Sequence, residues 1–266
     1  NDDASAVDIL RHQLKETGVA IYEHTTVQSV SISQDNIVLE NTQADKLFSL
    51  VGSHLLIATG RKANINDLDC AKAGIELKNQ HIILDKRLRT TNRHIFVIGD
   101  AVQQYQFTHI ANYHAGIVLR NIAFKLPAKI SDHVVPWVTF TSPEIAQVGL
   151  QEKDGDSEHI TVLTCPYTHN DRAQTEGKTI GMIKVIVDKK GRILGATIVG
   201  EHAGEMILPW IIAVKEKRSL RLFTDLIIPY PSFNELSKRV AGQFYTSKLF
   251  SPKVQCLVRF LNKIWP

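Results

Sequence analysis

Apolar residues at Ala6, Val7, Ile9, Leu10 and Leu14 recur at helical spacing and predict a helix over 6–15. Asp2, Asp3 and Ser5 are its candidate N-caps and Gly18 its stop. Residues 19–22 then read as a short strand. Residues 30–32 and 37–39 predict two antiparallel strands around the turn Ser33-Gln34-Asp35-Asn36. The run SHLLIA over 53–58 is apolar almost throughout, the pattern of a buried strand in a parallel sheet. Residues 82–85 and 94–98 predict further strands, the second ending in Gly99-Asp100. A long helix follows, with Ala111, Ala115, Val118, Leu119 and Ile122 on one side. From Val134 the pattern becomes that of an antiparallel sheet. Its clearest hairpin joins 183–187 to 193–199 through Asp188-Lys189-Lys190-Gly191-Arg192. Helices are expected over 204–217 and from Ser232 to about Phe244. The order is parallel α/β first and α+β afterwards.

Composition narrows the class without choosing a function. The 266 residues, 44% hydrophobic and 22% charged, suit one large domain or two smaller ones and exclude collagen-like, disordered and disulfide-scaffold chains. Cys70, Cys165 and Cys256 lie far apart with no CxxC, so a thiol zinc site is not expected and a reducing, cytoplasmic setting fits. The net charge of +4 (31 Lys+Arg less 27 Asp+Glu) implies no nucleic-acid partner. No apolar run of about 18–20 residues is present to span a bilayer. Both methionines, Met182 and Met206, are internal and the chain opens Asn1-Asp2-Asp3. A removed initiator or leader and a fragment of a longer chain are both open readings.

The end of the chain adds a different signal. Residues 241–266 contain Lys248, Lys253, Arg259 and Lys263 and no acid, and Ser251-Pro252 is a good helix start. Leu257, Val258, Phe260, Leu261, Ile264 and Trp265 supply the bulk. Two readings stand: a C-terminal helix docked on its own domain, or a basic amphipathic helix resting on an anionic membrane face.

Candidate chemistry sits at strand ends. Gly60 closes the run 53–58, where backbone can approach a ligand closely or simply turn. Asp100 follows a strand through Gly99; its carboxylate can accept hydrogen bonds from sugar-like hydroxyls or cap the next helix. His109 and His114 are five apart, a spacing that does not pair two metal ligands on one helical face, so no metal site is expected. Cys70 and Cys165 read as buried structural thiols.

Four segments in order resemble one family. These are Ile57-Ala58-Thr59-Gly60-Arg61-Lys62-Ala63-Asn64, the stretch from Arg89 to Asp100 (RTTNRHIFVIGD), Phe140-Thr141-Ser142-Pro143-Glu144-Ile145-Ala146-Gln147-Val148-Gly149, and Pro229-Tyr230-Pro231-Ser232-Phe233-Asn234-Glu235. They are similar to the A-T-G-R-x-x-N, I-[FY]-A-x-G-D, F-T-x-P-E-[IV]-A-x-V-G and H-P-T-x-x-E segments of the class I pyridine nucleotide-disulfide oxidoreductases. That family includes dihydrolipoamide dehydrogenase and mercuric reductase. The ferredoxin- and peroxide-type branches of the superfamily have a different C-terminal domain, and the segment at 229–235 speaks against them.

The resemblance implies an α/β remnant of FAD- and NAD(P)-binding Rossmann-like domains, followed by an α+β dimerisation domain with an antiparallel sheet. The expected divisions are 1–61 for the end of the NAD(P) domain, 62–131 for the returning segment of the FAD domain, and 132–266 for the dimerisation domain. It implies hydride transfer from NAD(P)H to FAD, then electron flow through a cysteine pair to a disulfide or thiol-bound metal, in a homodimer formed through 132–266. Asp100 would hold the ribityl chain of FAD. Thr108 and His109 would lie where backbone meets the flavin, and Val27 and Gly60 where the nicotinamide dinucleotide meets its domain.

Tyr230 and Glu235 are the implied catalytic pair. Tyr230 stands where most disulfide reductases of the family place a proton-accepting His, and an ordinary tyrosine, with a pKa of about 10, is a poor base at neutral pH. Mercuric reductase also carries Tyr in this segment, together with a vicinal Cys pair in its tail; here the tail has only Cys256. A plain interface role between two prolines is the other reading of Tyr230. Asn170-Asp171-Arg172-Ala173 matches a segment of mercuric-reductase-like members and has no assigned role. The chain contains neither G-x-G-x-x-G nor C-x-x-x-x-C. The expectation is therefore a C-terminal portion, inactive by itself. The alternative is a non-catalytic dimerisation or scaffolding module derived from this fold.

Overall fold

Helix α1 (Ala4–Glu16) begins where Asp3 caps it: one carboxylate oxygen accepts from the backbone N–H of Ser5 and of Ala6. In the computed structural model, which describes residues 2–131 and 134–264, the chain divides into two compact units. One joins Asn1–Ile21 to His133–Pro266 and the other is Tyr22–Asp132. The expected division between 131 and 132 adjoins residues 132 and 133, which lie outside the described residues, as do Asn1, Trp265 and Pro266. Helix α1 groups with the C-terminal sheet rather than with the segment that follows it in sequence.

In the unit Tyr22–Asp132, β1 (Thr25–Ser33), β2 (Asn36–Gln43) and β3 (Lys46–Gly52) form an antiparallel meander. Both turns are two residues long, Gln34-Asp35 and Ala44-Asp45, and all four residues have positive φ, the twist that suits a tight hairpin. The third strand lacks a strong alternating pattern, which is why only two were legible. Short β4 (Leu77–Lys78) and β5 (His81–Ile82) pair around Asn79-Gln80, and helix α2 (Thr108–Ile122) follows.

Three expected strands are absent here. Residues 19–22, 53–58 and 94–98 are not strands; the last makes only an isolated bridge from Phe96 to Arg89. An apolar run becomes a strand only when a neighbour satisfies its N–H and C=O groups along its length, and 94–98 meets 88–90 through just two backbone hydrogen bonds, Thr90 N–H to Ile95 O and Val97 N–H to Leu88 O. None of the described residues pairs with 53–58, and Leu56 is 88% exposed. The long helix also turns a different face inward: Ile110, His114 and Ile117 are buried, not the stripe at 111, 115, 118 and 122.

The other unit is built on a five-stranded antiparallel sheet in the order β6-β7-β10-β9-β8. Its strands are β6 (Trp137–Thr139), β7 (Glu144–Gly149), β8 (Ile160–Pro166), β9 (Met182–Asp188) and β10 (Ile193–Gly200). One face carries Ala146, Val148, Ile183, Val185, Ala196 and Ile198 into a core completed by Met206, Trp210, Phe223, Leu236 and Phe244. Trp210 and Phe223 stack there at 4.0 Å between ring centroids. Around the sheet run α3 (Asp171–Glu176), α4 (Ala203–Met206), α5 (Leu208–Lys215), α6 (Arg221–Thr224), α7 (Glu235–Leu249) and α8 (Pro252–Ile264). The helix expected over 204–217 is thus two pieces, parted at Ile207 just before Leu208-Pro209. Gly200 closes β10 at φ +148°, and a Cβ there would lie 2.4 Å from the Tyr167 ring, so this strand end accepts only glycine.

The opposite face carries Ile145 and Val199 under Ala6, Ile9 and Leu10 of α1. Lys184, buried on β9, donates to Asp3 (3.0 Å) and to Glu152 (2.7 Å). Burial by itself would raise the Asp3 pKa; hydrogen bonds from Ser5 and Lys184, with the ammonium charge, hold it below the usual carboxylate value. Lys184 shows the mirror effect: burial opposes its charge, and the two carboxylates hold its pKa above the usual lysine value.

Candidate functional site

In the unit Tyr22–Asp132 the turn at Gly99-Asp100 sits against α2. The buried His114 accepts the Gly99 N–H at Nδ1 (3.2 Å), which places the ring proton of a neutral His114 on Nε2. Gly99 adopts φ +63°, and an added Cβ would come within 3.1 Å of Ala111. The turn is therefore pressed close to the first turns of α2, and Asp100 projects from it with its carboxylate half exposed. Arg61 ties this turn to the end of the run 53–58. It donates to Asp100 at 3.3 Å and to the Gln106 carbonyl. A cleft of roughly 380 Å³ opens beside it, lined by Arg61, Asn66, Gln80, His81, Gln103 and Gln106 among others.

The helix that begins here has no side-chain cap: Phe107 precedes it and contributes only its carbonyl, to Ile110 and Ala111. Thr108 and His109 thus stand in the first turn of an uncapped helix, where the N–H dipoles favour electron-rich oxygen. The His109 ring stacks on Phe107 at 5.1 Å. Gly60, at φ +124°, is surrounded by open space, so its backbone is accessible. Val27 lies on β1 at the bulge where the register to β2 shifts, and is exposed. Asp100, Thr108 and His109 are brought together by the α2 terminus; Val27 belongs to the meander.

The second constellation is in the other unit. Tyr230, largely exposed, donates its hydroxyl proton to Asp171 Oδ2 at 3.0 Å, and Arg239 of α7 approaches the other oxygen at 3.9 Å. The hydrogen bond to Asp171, reinforced by that residue's charge, holds the phenol above its ordinary pKa. It is therefore neutral at physiological pH. Asn170, fully buried, supports this geometry. Its Oδ1 caps α3 through the Ala173 N–H and its Nδ2 donates to the Ser232 carbonyl, both at 2.9 Å. Glu235 starts α7 and accepts the Ser232 N–H at 3.4 Å, half of a capping box.

The unassigned segment Asn170-Asp171-Arg172-Ala173 thereby gains a function in the fold: it anchors the loop bearing Tyr230. Asn before Asp at the start of α3 is a cap signal visible in the sequence. The 59-residue separation of Tyr230 from Asp171 hid their pairing. Arg61 and His114 were likewise missed as supports of the Asp100 turn. Among the described residues no group of three or more His, Cys, Asp or Glu side chains could hold a metal ion.

These elements match known proteins over most of the chain. Residues 135–241 fit the family described as "Pyridine nucleotide-disulphide oxidoreductase, dimerisation domain", and residues 1–115 fit "Pyridine nucleotide-disulphide oxidoreductase". The chain belongs to the pyridine nucleotide-disulphide oxidoreductase family. It is 32% identical to a mercuric reductase of Bacillus cereus, over 88% of this chain and 38% of that protein. To a dihydrolipoyl dehydrogenase of Geobacillus stearothermophilus it is 27% identical, over 88% and 50% respectively. A Cu(II) complex of the HOCl-induced flavoprotein disulfide reductase RclA from Escherichia coli superposes with a TM-score of 0.83 at 27% identity, covering 91% of this chain and 55% of that one. LpdA from Mycobacterium tuberculosis, at 24% identity and a TM-score of 0.84, shows the same fold. The fold class expected from the sequence motifs is thus the observed one. The chain spans between about two-fifths and one-half the length of these curated relatives.

Proposed function

We propose that the chain is the C-terminal portion of a flavin- and NAD(P)H-dependent oxidoreductase that reduces a disulfide or a thiol-bound metal. The observation that carries this reading is the Asp100 turn held against the uncapped start of α2. A carboxylate on a left-handed Gly turn, beside the N-terminal turn of a helix that no side chain caps, suits a ligand that presents hydroxyls and an electron-rich ring oxygen. Those residues fit one edge of FAD: Asp100 toward the ribityl hydroxyls, Thr108 and His109 through backbone toward the ring. Bound there, FAD would supply hydride and electron transfer. Gly60 and Val27 are the expected contacts of the nicotinamide dinucleotide. Arg61 competes for Asp100 in the absence of a ligand, so it would reposition when the carboxylate is taken up by hydroxyls.

In this reading Tyr230 differs from a proton-accepting His. Its phenol is neutral and its proton is committed to Asp171, so it serves as a hydrogen-bonding contact for the electron acceptor rather than as a base. Glu235 keeps the loop in place by capping backbone, a positioning role. The family's dimerisation-domain match supports a homodimer through 132–266, with Tyr230 reaching the partner's site.

The test is to express the chain together with its native upstream coding sequence and measure bound FAD and NAD(P)H oxidation. A flavin-loaded product that Asp100→Ala strips of FAD supports the reading. A native product with no flavin, or flavin retained in full by Asp100→Ala, overturns it. The 266-residue chain alone is expected to be colourless, and flavin at one per chain would overturn that expectation.

A further inference from the structure

We infer that helix α8 (Pro252–Ile264) is an interfacial anchor that lies on a lipid surface carrying anionic headgroups. At 100° per residue, Val254, Leu257, Val258, Phe260, Leu261 and Ile264 fall within one arc of about 160°. Gln255, Arg259, Asn262 and Lys263 occupy the other side. Such a helix could have folded its apolar arc onto its own unit. It has not: Leu257 is 55% exposed, Phe260 57% and Ile264 62%, with Val258 and Leu261 also exposed. Leu249 and Phe250, just before it, are exposed as well. The apolar arc is thus uncovered while the β-sheet core of the same unit is complete.

Charge decides what covers it. After Glu235 the chain has no Asp or Glu to its end, yet it carries Lys238, Arg239, Lys248, Lys253, Arg259 and Lys263. A second copy bound through this helix would bring together two segments that carry cations and no acid. An anionic bilayer matches both features: acyl chains take the apolar arc, and the negative surface attracts a helix whose charged residues, Lys253, Arg259 and Lys263, are all cations. The 13-residue helix is too short to cross a bilayer, and no described helix is long and apolar enough to do so. Lying flat in the interface is the geometry left. This inference stands apart from the redox reading, since the helix α8 it rests on contributes no residue to either constellation above.

The test is co-sedimentation of the full 266-residue chain with vesicles of phosphatidylcholine alone, and of phosphatidylcholine with about 30 mol% phosphatidylglycerol. Binding is expected to the anionic vesicles and to weaken strongly at about 1 M salt, where the Debye length is about 3 Å. At about 1 kcal/mol per cation, Arg259→Gln with Lys263→Gln should lower partitioning roughly thirtyfold. Leu257→Glu with Leu261→Glu should abolish it while leaving the thermal transition of the sheet unit in place, because both positions are already exposed. Equal binding to neutral vesicles, no vesicle binding, or binding untouched by either double variant overturns the proposal. So does a dimer, measured by light scattering without lipid, that dissociates in L257E/L261E: a second copy would then be the occupant.

Discussion

The hairpin β9–β10 and the run 53–58 look alike as sequence, each a short stretch dense in branched aliphatic residues, yet the structure treats them oppositely. Ile183, Val185 and Ile198 are sealed between neighbouring strands and the helices α4–α7, whereas Leu56 and Ile57 face solvent with no strand beside them. Apolar content is the same kind of signal in both; only the first has partners for its backbone. Strand formation is a property of a pair, and a sequence run states one member of it.

Hydrogen exchange should show the widest gap between the two. Amides of β9 and β10 open only with the sheet and should be protected at least about a thousandfold more than those of 54–58, which exchange near the unstructured rate. Comparable protection in both would mean that 53–58 pairs in solution, and the contrast would fail. Next in size, Ile198→Ala, which leaves a cavity in the sealed core, should lower stability by about 4 kcal/mol. Ile57→Ala should change it by no more than about 0.5 kcal/mol. Denaturant titration followed by fluorescence of Trp137 and Trp210 for the first, and by far-UV circular dichroism for the second, separates the two outcomes.

Lys184→Met sharpens the comparison on the other face of the sheet, where α1 is held by charge as well as by packing. Removing the ammonium leaves Asp3 buried but still bonded to backbone and to Ser5, and Glu152 half exposed, so about 2 kcal/mol is expected, below the loss for a fully buried pair. Asp3→Asn added to Lys184→Met should recover much of it. The pH dependence follows from the directions of the shifts. Asp3, lowered on folding, contributes stability above the ordinary carboxylate pKa that is lost as pH falls through its lower folded value. Lys184, raised on folding, contributes below the ordinary lysine pKa and loses it as pH rises through its higher folded value. The double variant should flatten both the acid and the alkaline limb of a stability–pH curve. Smallest of all, Tyr230→Phe removes an exposed hydrogen bond and should shift stability by no more than about 0.5 kcal/mol. The phenol titration monitored in the ultraviolet should move back toward about pH 10 in Asp171→Asn.

Much of the fold was legible where local rules suffice. Helix α1 with its Asp3 cap, the hairpin β1–β2, the hairpin β9–β10 and the start of α8 at Ser251-Pro252 all follow from periodicity, capping and turn residues. Four motifs in order carried the family. Illegible were contacts made across distance. The buried face of α2 is set by Gly99 lodging against His114 and Ala111 rather than by the strongest apolar stripe. The supports of the two constellations, Arg61 for Asp100 and Asp171 for Tyr230, come from positions 39 and 59 residues away. Periodicity carries no information at that range.

By itself the sequence determined the family, the antiparallel C-terminal sheet and the amphipathic pattern of α8, because each is written in spacing that a few neighbouring residues enforce. Only the tertiary structure decided that α1 lies on that sheet through Asp3 and Lys184, that the run 53–58 is unpaired and exposed, that the α8 stripe is uncovered, and that Tyr230 keeps its proton. Those outcomes depend on which groups meet once the chain has closed on itself. Burial, pairing and charge act between groups whose separation the sequence does not record.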